Sequence, residues 1–374
     1  MSMTMTAEAI RLALTLRDLT DPAQGMHAMQ LLLEEIEQTL ASRWRVPVRR
    51  ERAHPVVSVR DNYDRLLVPP DAVARDARHT RYLNDRAILR THTSAMVPPS
   101  LDRLSAHMPP ELLLSCPGLC YRRDSIDRRH TGEPHQLDLW RIRNRAPALT
   151  YDDLPDMIGA IVEGALPEHT WRVTPTGHPY TQHGVQIDVR NADEWVEIGE
   201  CGVASPEVLV GSGLAAPPVS GLAMGLGLDR ILMLRKGIDD IRLLRANDRR
   251  IADQMLDLKP YRAVSTMPPV LRDLSIAATS DISEEDLGDR IRATMGAEAS
   301  SVEGLEVLSE TAYEDLPERA RARLGIIAGQ KNLLVRVVLR DLDRTLTDVD
   351  ANALRDRVYA AIHEGTVWMW AGKR

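Results

Sequence analysis

The sequence predicts an α+β protein in which an antiparallel sheet flanked by helices is followed by a smaller βαββαβ domain. Two observations carry this prediction. Short strand-like segments follow one another at irregular intervals from Trp44 to about Lys259, without the regular strand–helix alternation of a parallel sheet. Beyond Pro260 the strand and helix patterns come in the βαββαβ order. A chain of 374 residues is long enough for two or three such domains.

Residues 1–45 are expected to form an N-terminal helical segment. A first helix is predicted at 6–19, and Asp21 as N-cap with Pro22 at the first helical position predicts a second helix. That second helix should run to about Arg43 and carries an apolar face, which we expect to dock against a core rather than a coiled-coil partner. The face consists of Met26, Met29, Leu33, Ile36 and Leu40.

Residues 46–258 are expected to form the largest domain. Its strands are predicted at 56–59, 119–123, 135–142, 185–189, 194–198 and 219–224. Its helices are predicted at 153–165, directly after Gly227, and at 239–257. The boundary is placed at Lys259-Pro260 because proline does not continue the preceding helical pattern.

Residues 259–374 are expected to form a ferredoxin-like domain. Its elements are predicted as strands at 272–279, 302–311 and 331–340, helices at 283–295 and 350–363, and a short final segment. Thr347-Asp348 predicts the start of the last helix.

The charge of residues 260–374 is unusual for a domain that contacts nucleic acid, with 15 basic and 19 acidic side chains. Affinity for phosphate would need one face that gathers the basic residues, and the alternative is an ordinary solvated surface. The candidates for that face are Arg319, Arg321, Arg323, Lys331 and Arg336.

The composition of the whole chain excludes several classes of protein. A formal charge of −7 excludes a basic coat over the full length, although not a local basic face. Three cysteines do not suit a secreted disulfide framework, so we expect a cytoplasmic protein, and no apolar run is long enough to span a membrane. The chain contains no phenylalanine, where ordinary usage predicts roughly a dozen. This gap indicates selection on coding rather than on packing.

The segment 120–143 combines arginines, histidines and carboxylates between two predicted strands. In the second strand Gln136, Asp138 and Trp140 fall on one face, and polar side chains spaced so regularly tend to face a site rather than a core. Arginines beside such a face suit polyphosphate, because the guanidinium fork binds phosphate oxygens bidentately. The alternative is a surface loop with solvated charges.

A second candidate element contains Gly221, Gly225 and Gly227 in a predicted strand. Glycines in a strand indicate that another group approaches the backbone closely. A helix follows at once, and Arg230 in its first turn is unfavourable beside the helix dipole unless an anion lies nearby. This combination indicates a nucleotide site.

Together these segments resemble motifs 2 and 3 of class II aminoacyl-tRNA synthetases, and the chain from about residue 90 resembles phenylalanyl-tRNA synthetase. The matching segments are Leu89-Arg90-Thr91-His92-Thr93-Ser94, Arg122, His130, His135-Gln136, Trp195-Val196-Glu197, Cys201-Gly202 and Asp229-Arg230. The tail resembles the ferredoxin-fold anticodon-binding (FDX-ACB) domain through Arg272-Asp273-Leu274 and the run from Arg344 to Asp348. The order of the segments is that of the single-chain type.

The resemblance implies that ATP and an amino acid form an aminoacyl-adenylate, from which the aminoacyl group passes to tRNA, with tRNA-Phe as the expected partner. It implies that Arg122 binds the α-phosphate and that His130 and Arg230 bind the γ-phosphate. By the same resemblance Asp124 would contact the adenine edge, and Glu197 would coordinate Mg²⁺. Pro134 stands where the family stacks an aromatic ring on adenine.

The resemblance also implies an amino-acid pocket. The ammonium end would be read by His92, Ser94, Gln136 and Asp138, where Asp138 replaces a family glutamate. The rest of the pocket would be formed by His178, Tyr180, Leu222, Ala223 and Met224. His178-Pro179-Tyr180 stands for a family Phe-Pro-Phe, and Leu222-Ala223-Met224 for Phe-Ala-Phe. These replacements leave a Phe-sized pocket plausible and add polar groups that favour a hydroxylated or otherwise modified substrate.

Other functions stay open from the sequence. An adenylate-forming ligase that passes an amino acid to a carrier protein or small molecule would use the same ATP motifs. A non-catalytic paralogue is disfavoured by Arg122, His130 and Arg230. A paralogue that confers resistance to a phenylalanine analogue would account for the missing phenylalanine, because it is made even when Phe-tRNA is scarce or mischarged. The oligomeric state, monomer or homodimer, is open.

Overall fold

The computed structural model describes residues 4–123, 125–215, 217–264, 268–342 and 344–368. The chain divides into two compact units that are not contiguous in sequence. The first contains Met1–Arg122, Glu133–Ile238 and Asp253–Tyr261, and the second contains Arg123–Gly132, Asp239–Ala252 and Arg262–Arg374. The predicted division at 1–45, 46–258 and 259–374 therefore stays a prediction.

The described residues form both helices and strands, without regular alternation, as in an α+β protein. The α-helices are α1 (Ala7–Leu14), α2 (Ala28–Trp44), α3 (Val59–Asn62), α4 (Val97–Ser105), α5 (Leu154–Ala165), α6 (Pro206–Gly211), α7 (Leu228–Lys236), α8 (Arg249–Ala252), α9 (Glu284–Met295), α10 (Glu318–Leu324) and α11 (Asp348–Ile362). The strands are β1 (Val48–Arg50), β2 (Val56–Ser58), β3 (Ala87–Leu89), β4 (Glu111–Leu119), β5 (His135–Asn144), β6 (Trp171–Pro175), β7 (Thr181–Asn191), β8 (Glu194–Ala204), β9 (Val219–Gly227), β10 (Val270–Thr279), β11 (Val302–Ala312) and β12 (Gln330–Leu339). No helix within these described ranges is long and apolar enough to cross a membrane.

The first unit is built on a seven-stranded sheet with the order β1-β4-β5-β9-β8-β7-β6. Only the β1–β4 pair is parallel, so the predicted antiparallel sheet is confirmed. The strand predicted at 119–123 is observed as β4 at Glu111–Leu119. The prediction was misplaced because a proline such as Pro117 argues against a strand inside a sheet. Pro117 is tolerated because β1 pairs with β4 only as far as Ser115, so no partner on that side needs its amide.

The first helix begins as predicted but ends at Leu14 instead of residue 19, and the second ends as predicted but begins later. Asp21 and Pro22 start only a 3₁₀ turn (Pro22–Gln24), and the side chain of His27 caps α2 by accepting from the Met29 amide at 3.1 Å. Met26 thus lies outside the helix and is 75% exposed. The other predicted core positions of the helix are fully buried: Met29, Leu33, Ile36 and Leu40.

The second unit contains a three-stranded antiparallel sheet with the order β10-β12-β11. Helices α9 and α11 bury apolar side chains such as Leu287 and Val358 in a common core with Val335. Thr347 caps α11 as predicted, in a reciprocal capping box with Asp350. The final strand of the βαββαβ order would follow α11. Residues 363–368 form no strand, and 369–374 lie outside the described residues.

The helix predicted at 239–257 is replaced by shorter elements. A 3₁₀ turn (Ile241–Arg245), α8 and a second 3₁₀ turn (Asp253–Leu256) follow one another. The segment is also split between the two units at Asp253. The sequence therefore predicted one helix where the chain passes from one unit to the other.

Candidate active site

The candidate site lies on one face of the seven-stranded sheet, in the first unit. Asp138 on β5 is paired with Gly225 on β9, and Gly225 is paired with Glu200 on β8. Side chains of directly paired residues share a face, so Asp138 and Glu200 stand on either side of the glycine. A Cβ at Gly225 would have only one atom within 4 Å, the Asp138 Oδ2 at 4.0 Å. The sheet is thus open between the two carboxylates.

Ala223 and Gly227 lie on the same face of β9, since side chains alternate along a strand, and Ala223 is buried there. We call Ala223, Gly225 and Gly227 the glycine strip. A Cβ at Gly227 would approach nothing closer than 3.9 Å. The strip is therefore a shallow channel floored by backbone, as the glycines in the sequence indicated.

Asp138 supplies a buried carboxylate beside the glycine strip. Its Oδ2 accepts hydrogen bonds from the hydroxyls of Ser94 (2.9 Å) and Thr93 (3.0 Å), and its Oδ1 lies 3.4 Å from the indole nitrogen of Trp140. Burial raises the pKa of Asp138 to about 6, because these neutral donors replace only part of the lost hydration. Within the described residues no basic side chain pairs with it directly, so the carboxylate suits an incoming ammonium group.

His92 is held as a neutral ring with one unused nitrogen. The Asn62 Oδ1 accepts from the Thr91 amide (3.2 Å), which orients the Asn62 nitrogen toward His92 Nε2 at 3.4 Å. The ring proton then lies on Nδ1, which is buried without a hydrogen-bond partner among the described residues. Burial, with the charges of Arg122 and His178, lowers the pKa of His92 to about 3. His92 therefore carries one buried hydrogen-bond donor that has no partner among the described residues.

Arg122 brings a cation to the same face. It follows the end of β4, and its Nε donates to the carbonyl oxygen of Thr91 at 2.8 Å. Its positive charge contributes to the lowered pKa of His92 and of Glu200. Because the guanidinium is held through Nε, its two terminal nitrogens can still donate hydrogen bonds to an anionic ligand.

Three stacked rings form one wall of the site, which we call the ring wall. His178 lies 5.3 Å from Tyr180, and Tyr180 lies 6.4 Å from Trp140, with the rings nearly parallel in both pairs. His178 Nε2 contacts the Glu200 carboxylate, and this hydrogen bond raises the pKa of His178 and lowers that of Glu200. Burial raises the pKa of Tyr180, so its hydroxyl stays protonated beside Ser94. The wall is thus aromatic but carries an ion pair at its outer end.

Arg230 and Glu197 lie together at the start of α7. Arg230 donates to the Glu197 carbonyl oxygen at 3.0 Å and lies 3.8 Å from its carboxylate, which is 45% exposed. The neighbouring Asp229 instead anchors the helix: it accepts from the backbone amide of His135 and pairs with His135 Nδ1 at 2.9 Å. His135 Nε2 accepts from the Leu19 amide at 3.0 Å, so its ring is fully engaged in holding the fold.

The remaining predicted residues are placed differently. Gln136 shares the face of Asp138 and accepts from the Cys120 thiol at 3.4 Å, and Pro134 precedes β5 with its carbonyl oxygen bonded to the Cys120 amide at 2.8 Å. Leu222 and Met224 alternate with Ala223 and therefore lie on the opposite face, fully buried. The predicted pocket role is not supported for these two side chains, because strand alternation turns them away from Asp138.

Two predicted nucleotide contacts are not part of this geometry. His130 belongs to the second unit, where its Nδ1 contacts Asp127 at 2.6 Å. Burial opposes ionisation of Asp127, but its bonds from His130 and the Arg129 amide hold its pKa below the ordinary value. Asp124 lies outside the described residues.

Sequence reasoning missed Thr93 and Glu200. Thr93 lay inside the recognised Thr91-His92-Thr93-Ser94 segment, and two hydroxyls in succession were a signal that either one could bond to a carboxylate. Glu200 lies three residues after Glu197 and was hidden within the Glu197–Cys201 segment. Only pairing of β8 with β9 brings it to the site.

The arrangement combines a buried carboxylate, a cationic guanidinium and a backbone-floored channel, which together suit a zwitterion beside a phosphorylated ligand. No group of three or more His, Cys, Asp or Glu side chains in the described ranges is arranged as a metal site.

Comparison with known proteins identifies the family of this chain. Residues 12–255 match the family described as tRNA synthetases class II core domain (F). The phenylalanine–tRNA ligase alpha subunit of Acaryochloris marina is 35% identical over 193 residues, which are 52% of this chain and 56% of that protein. The alpha subunit of Prochlorococcus marinus (strain MIT 9313) is 32% identical over 242 residues, or 63% and 69% of the two chains.

A longer match is to the probable mitochondrial phenylalanine–tRNA ligase of Drosophila melanogaster, 25% identical over 368 residues that cover 83% of this chain and 76% of that protein. The chain spans about half the length of the first curated relatives, 56% in the match to Acaryochloris marina. The family match includes the whole seven-stranded sheet, the glycine strip and the ring wall. The chain therefore belongs to the class II aminoacyl-tRNA synthetase core family, in its phenylalanyl branch.

Proposed function

We propose that this chain activates phenylalanine, or a phenylalanine-like amino acid, with ATP and transfers it to tRNA, with tRNA-Phe as the acceptor. One observation carries the proposal: the Asp138 carboxylate, bonded to Ser94 and Thr93, faces the open glycine strip. A carboxylate kept from water but without a direct cationic partner favours the ammonium group of an amino acid over an uncharged ligand.

The amino acid is held at both of its charged ends. Its ammonium group lies against Asp138, with Gln136 on the same face as a further acceptor. Its carboxylate receives the hydrogen bond of His92 Nδ1 and the charge of Arg122. This differs from the role that the resemblance gave His92, because the orientation of Asn62 makes Nδ1 a donor.

The first reaction joins the amino acid to the α-phosphate of ATP. A carboxylate oxygen forms a bond to the α-phosphorus while the bond to the bridging oxygen breaks, and pyrophosphate leaves with that electron pair. Arg122 neutralises charge that develops at the α-phosphate, and Arg230 binds the departing phosphates. In the second reaction a terminal tRNA hydroxyl oxygen forms a bond to the carbonyl carbon while the bond from that carbon to the phosphate oxygen breaks. AMP leaves with that electron pair, and the hydroxyl proton passes to its phosphate or to water.

ATP carries Mg²⁺ in this reaction, and the residues present fit that ion in a limited way. Mg²⁺ is usually held by one or two carboxylates together with substrate phosphates. Glu197 offers one partly exposed carboxylate next to Arg230, which suits an ion that is bound mainly by the nucleotide. Bound there, Mg²⁺ would neutralise phosphate charge. We also propose, from the resemblance alone, that His130 binds the γ-phosphate, Asp124 the adenine edge and Pro134 its face.

The side chain of the substrate lies along the ring wall, with Ala223 as the small residue that leaves space beside it. His178 and Tyr180 supply the aromatic surface where the family uses two phenylalanines. The charged His178–Glu200 pair makes the outer end of this pocket polar. A substrate ring with a hydrogen-bonding substituent therefore fits this pocket better than it would fit a purely apolar pocket.

Residues 259–374, which contain the three-stranded sheet, are proposed to be the ferredoxin-like, FDX-ACB anticodon-binding domain of a single-chain enzyme, after a catalytic domain at 46–258. Two of its predicted tRNA-binding residues are engaged with acids, Arg336 with Asp273 (2.9 Å) and Lys331 with Glu310 (2.9 Å). These pairs favour weak phosphate binding, which keeps transfer to a carrier protein or small molecule as the second candidate function. Three buried free cysteines, Cys116, Cys120 and Cys201, support a reducing, cytoplasmic location.

Pyrophosphate exchange over a panel of aromatic amino acids tests the activation step. Exchange that depends on phenylalanine or a ring-substituted relative supports the proposal, and exchange with no amino acid overturns it. Charging of purified tRNA-Phe then separates the two acceptors, because a carrier-specific ligase would exchange pyrophosphate without charging tRNA.

A further inference from the structure

His135 lies where two strands and a helix of the first unit meet. The pairing of β4 with β5 ends at the Leu119–His135 pair, and the pairing of β5 with β9 ends at the Gln136–Gly227 pair. Helix α7 begins at Leu228, directly after β9. The strand pairing therefore stops beside His135, and contacts of its side chain join β5 to the helix.

Asp229 makes that connection from the side of the helix. Its Oδ1 lies 2.9 Å from His135 Nδ1, and its Oδ2 accepts from the His135 backbone amide. Asp229 is only 6% exposed, so these bonds are shielded from water. Gly227, the N-cap of α7, has no side chain that could cap the helix. Asp229 therefore supplies a side-chain anchor for the first turn, in which Arg230 is the next residue.

A backbone amide far away in the sequence determines which ring nitrogen of His135 carries the proton. The Leu19 amide donates to His135 Nε2 at 3.0 Å, so Nε2 accepts and the ring proton lies on Nδ1. The bond to the Asp229 carboxylate requires a proton at that nitrogen. Asp18 does not compete for Nε2: its Oδ1 lies 3.9 Å away and accepts from the Thr20 amide and hydroxyl at 2.9 and 2.7 Å.

The loop of residues 15–21, which supplies this amide, is itself bound to the sheet. The Asp18 Oδ2 accepts from the Leu119 amide at the end of β4, at 3.1 Å. Arg52 donates to the Thr20 hydroxyl at 2.8 Å, and Thr20 is fully buried. The 15–21 loop therefore binds the ends of two adjacent strands, β4 through Asp18 and β5 through the Leu19 amide.

We propose that His135 is a positioning residue for the nucleotide. The Leu19 amide places the ring proton on Nδ1, and that proton holds Asp229. Asp229 in turn holds the helical turn from which Arg230 reaches the phosphates of ATP. The His135 ring is fully buried, so it acts through the helix and not by contact with the nucleotide. This inference rests on the proposed function, in which Arg230 binds the departing phosphates.

Two substitutions of His135 separate its two ring bonds. In His135→Asn the side-chain amide nitrogen takes the place of Nδ1, so the bond to Asp229 is kept and the bond from Leu19 is lost. In His135→Gln the longer side chain reaches the place of Nε2, so an acceptor for the Leu19 amide is kept and the ring bond to Asp229 is lost. Both variants lose the packing of the ring, which makes each one the control for the other.

Pyrophosphate exchange with each substrate varied in turn measures the difference. His135→Gln should raise KM for ATP by about 10-fold or more, because Arg230 is no longer held in place. His135→Asn should raise it by no more than about threefold, and KM for the amino acid should change little in either variant. Thermal unfolding should show similar losses of Tm in both.

Equal increases in KM for ATP, or a larger increase in His135→Asn, would show that His135 supports only the fold and would overturn the inference. Failure of the proposed function looks different. In that case wild-type protein itself exchanges no pyrophosphate with any amino acid, and the role of Arg230 on which this inference rests is lost with it.

Nitrogen NMR spectroscopy tests the ring proton directly, without substrates and even if one of the variants does not fold. In wild-type protein with isotope-labelled histidine rings, His135 should show a protonated Nδ1 and an unprotonated Nε2 that is coupled to the Leu19 amide across the hydrogen bond. A proton on Nε2 would overturn the inference whatever the kinetics.

Discussion

The hydroxyl of Ser94 donates a 2.9 Å hydrogen bond to the Asp138 Oδ2, joining a 3₁₀ turn (Thr93–Met96) to the centre of the seven-stranded sheet. This bond orients the carboxylate toward the glycine strip. Orientation matters here because the carboxylate is buried and its charge is offset only by neutral donors. The ammonium end of the proposed amino-acid site is thus set before a substrate arrives.

Asp138→Asn should weaken activation far more than it changes the fold. Loss of a charged hydrogen bond to the ammonium group should lower kcat/KM for the amino acid in pyrophosphate exchange by about 10- to 100-fold. Ser94→Ala should have a smaller effect in the same direction. Ser100→Ala is the matched control, because its buried hydroxyl bonds to the Met96 carbonyl oxygen and not to Asp138. Equal losses at Ser94 and Ser100 would show that the turn, rather than the carboxylate, is being perturbed.

The pH dependence of amino-acid binding should report the same carboxylate. The pKa of Asp138 is raised by burial to about 6, so KM for the amino acid should rise as the pH falls through that value. Stability should show the opposite sign. Since the folded-state pKa lies above the ordinary 3.8, Asp138 favours the folded state most at low pH, and that contribution is lost as the pH rises through about 6. Asp138→Asn should therefore gain thermal stability relative to wild type as the pH rises from about 4 to about 7. A constant difference in Tm over this range would contradict the raised pKa.

Gly225→Val should remove activity while leaving the fold intact. A side chain at this position meets only the Asp138 carboxylate at the edge of contact, and valine is favourable in a strand. The valine methyl groups would occupy the channel between Asp138 and Glu200. Gly199→Ala provides the contrast, because a Cβ there collides with the Gly225 carbonyl oxygen and should cost about 1–3 kcal/mol in the free energy of unfolding. Full activity of Gly225→Val would show that the glycine strip does not hold substrate.

Arg230→Gln should raise KM for ATP without raising KM for the amino acid. Arg230 lies in the first turn of α7, and its guanidinium is next to Glu197. Removal of its charge should weaken phosphate binding there. Arg235→Gln is the matched control in the last turn of the same helix, next to Glu35. Steady-state exchange with each substrate varied in turn measures the difference. Parallel changes in both variants would indicate a general effect on the helix.

His178→Phe should shift the preference of the pocket. An apolar ring in this place should raise kcat/KM for phenylalanine by about 2- to 10-fold through ring–ring contact. It should lower kcat/KM for ring-hydroxylated analogues, since the charged pair with Glu200 is lost. His107→Phe at an exposed position is the control. Unchanged ratios between substrates would place His178 outside the pocket.

The sequence predicted most strands of the seven-stranded sheet and the two long helices of the second unit, α9 and α11, because strong alternation or capping residues mark these elements. Thr347 and Asp350 illustrate this, since a capping box acts within one helical turn. The predicted start of the second helix was wrong because Asp21 and Pro22 are equally good signals for a 3₁₀ turn. Where α2 begins depends on the burial of Met29 and Leu33 in the core, and the neighbouring residues in the sequence do not reveal that burial.

The resemblance of its motifs to a known family marked Arg122, Asp138 and Arg230 as candidate site residues without any structure. The sequence alone also contained the absence of phenylalanine, a property of coding that no coordinate reveals. Only the tertiary structure decided that Leu222 and Met224 turn away from the site, that Glu200 joins it, and that His92 has a donor to offer. The physical reason is that strand pairing and hydrogen-bond orientation act between segments far apart in the chain, whereas motifs and periodicity act within one.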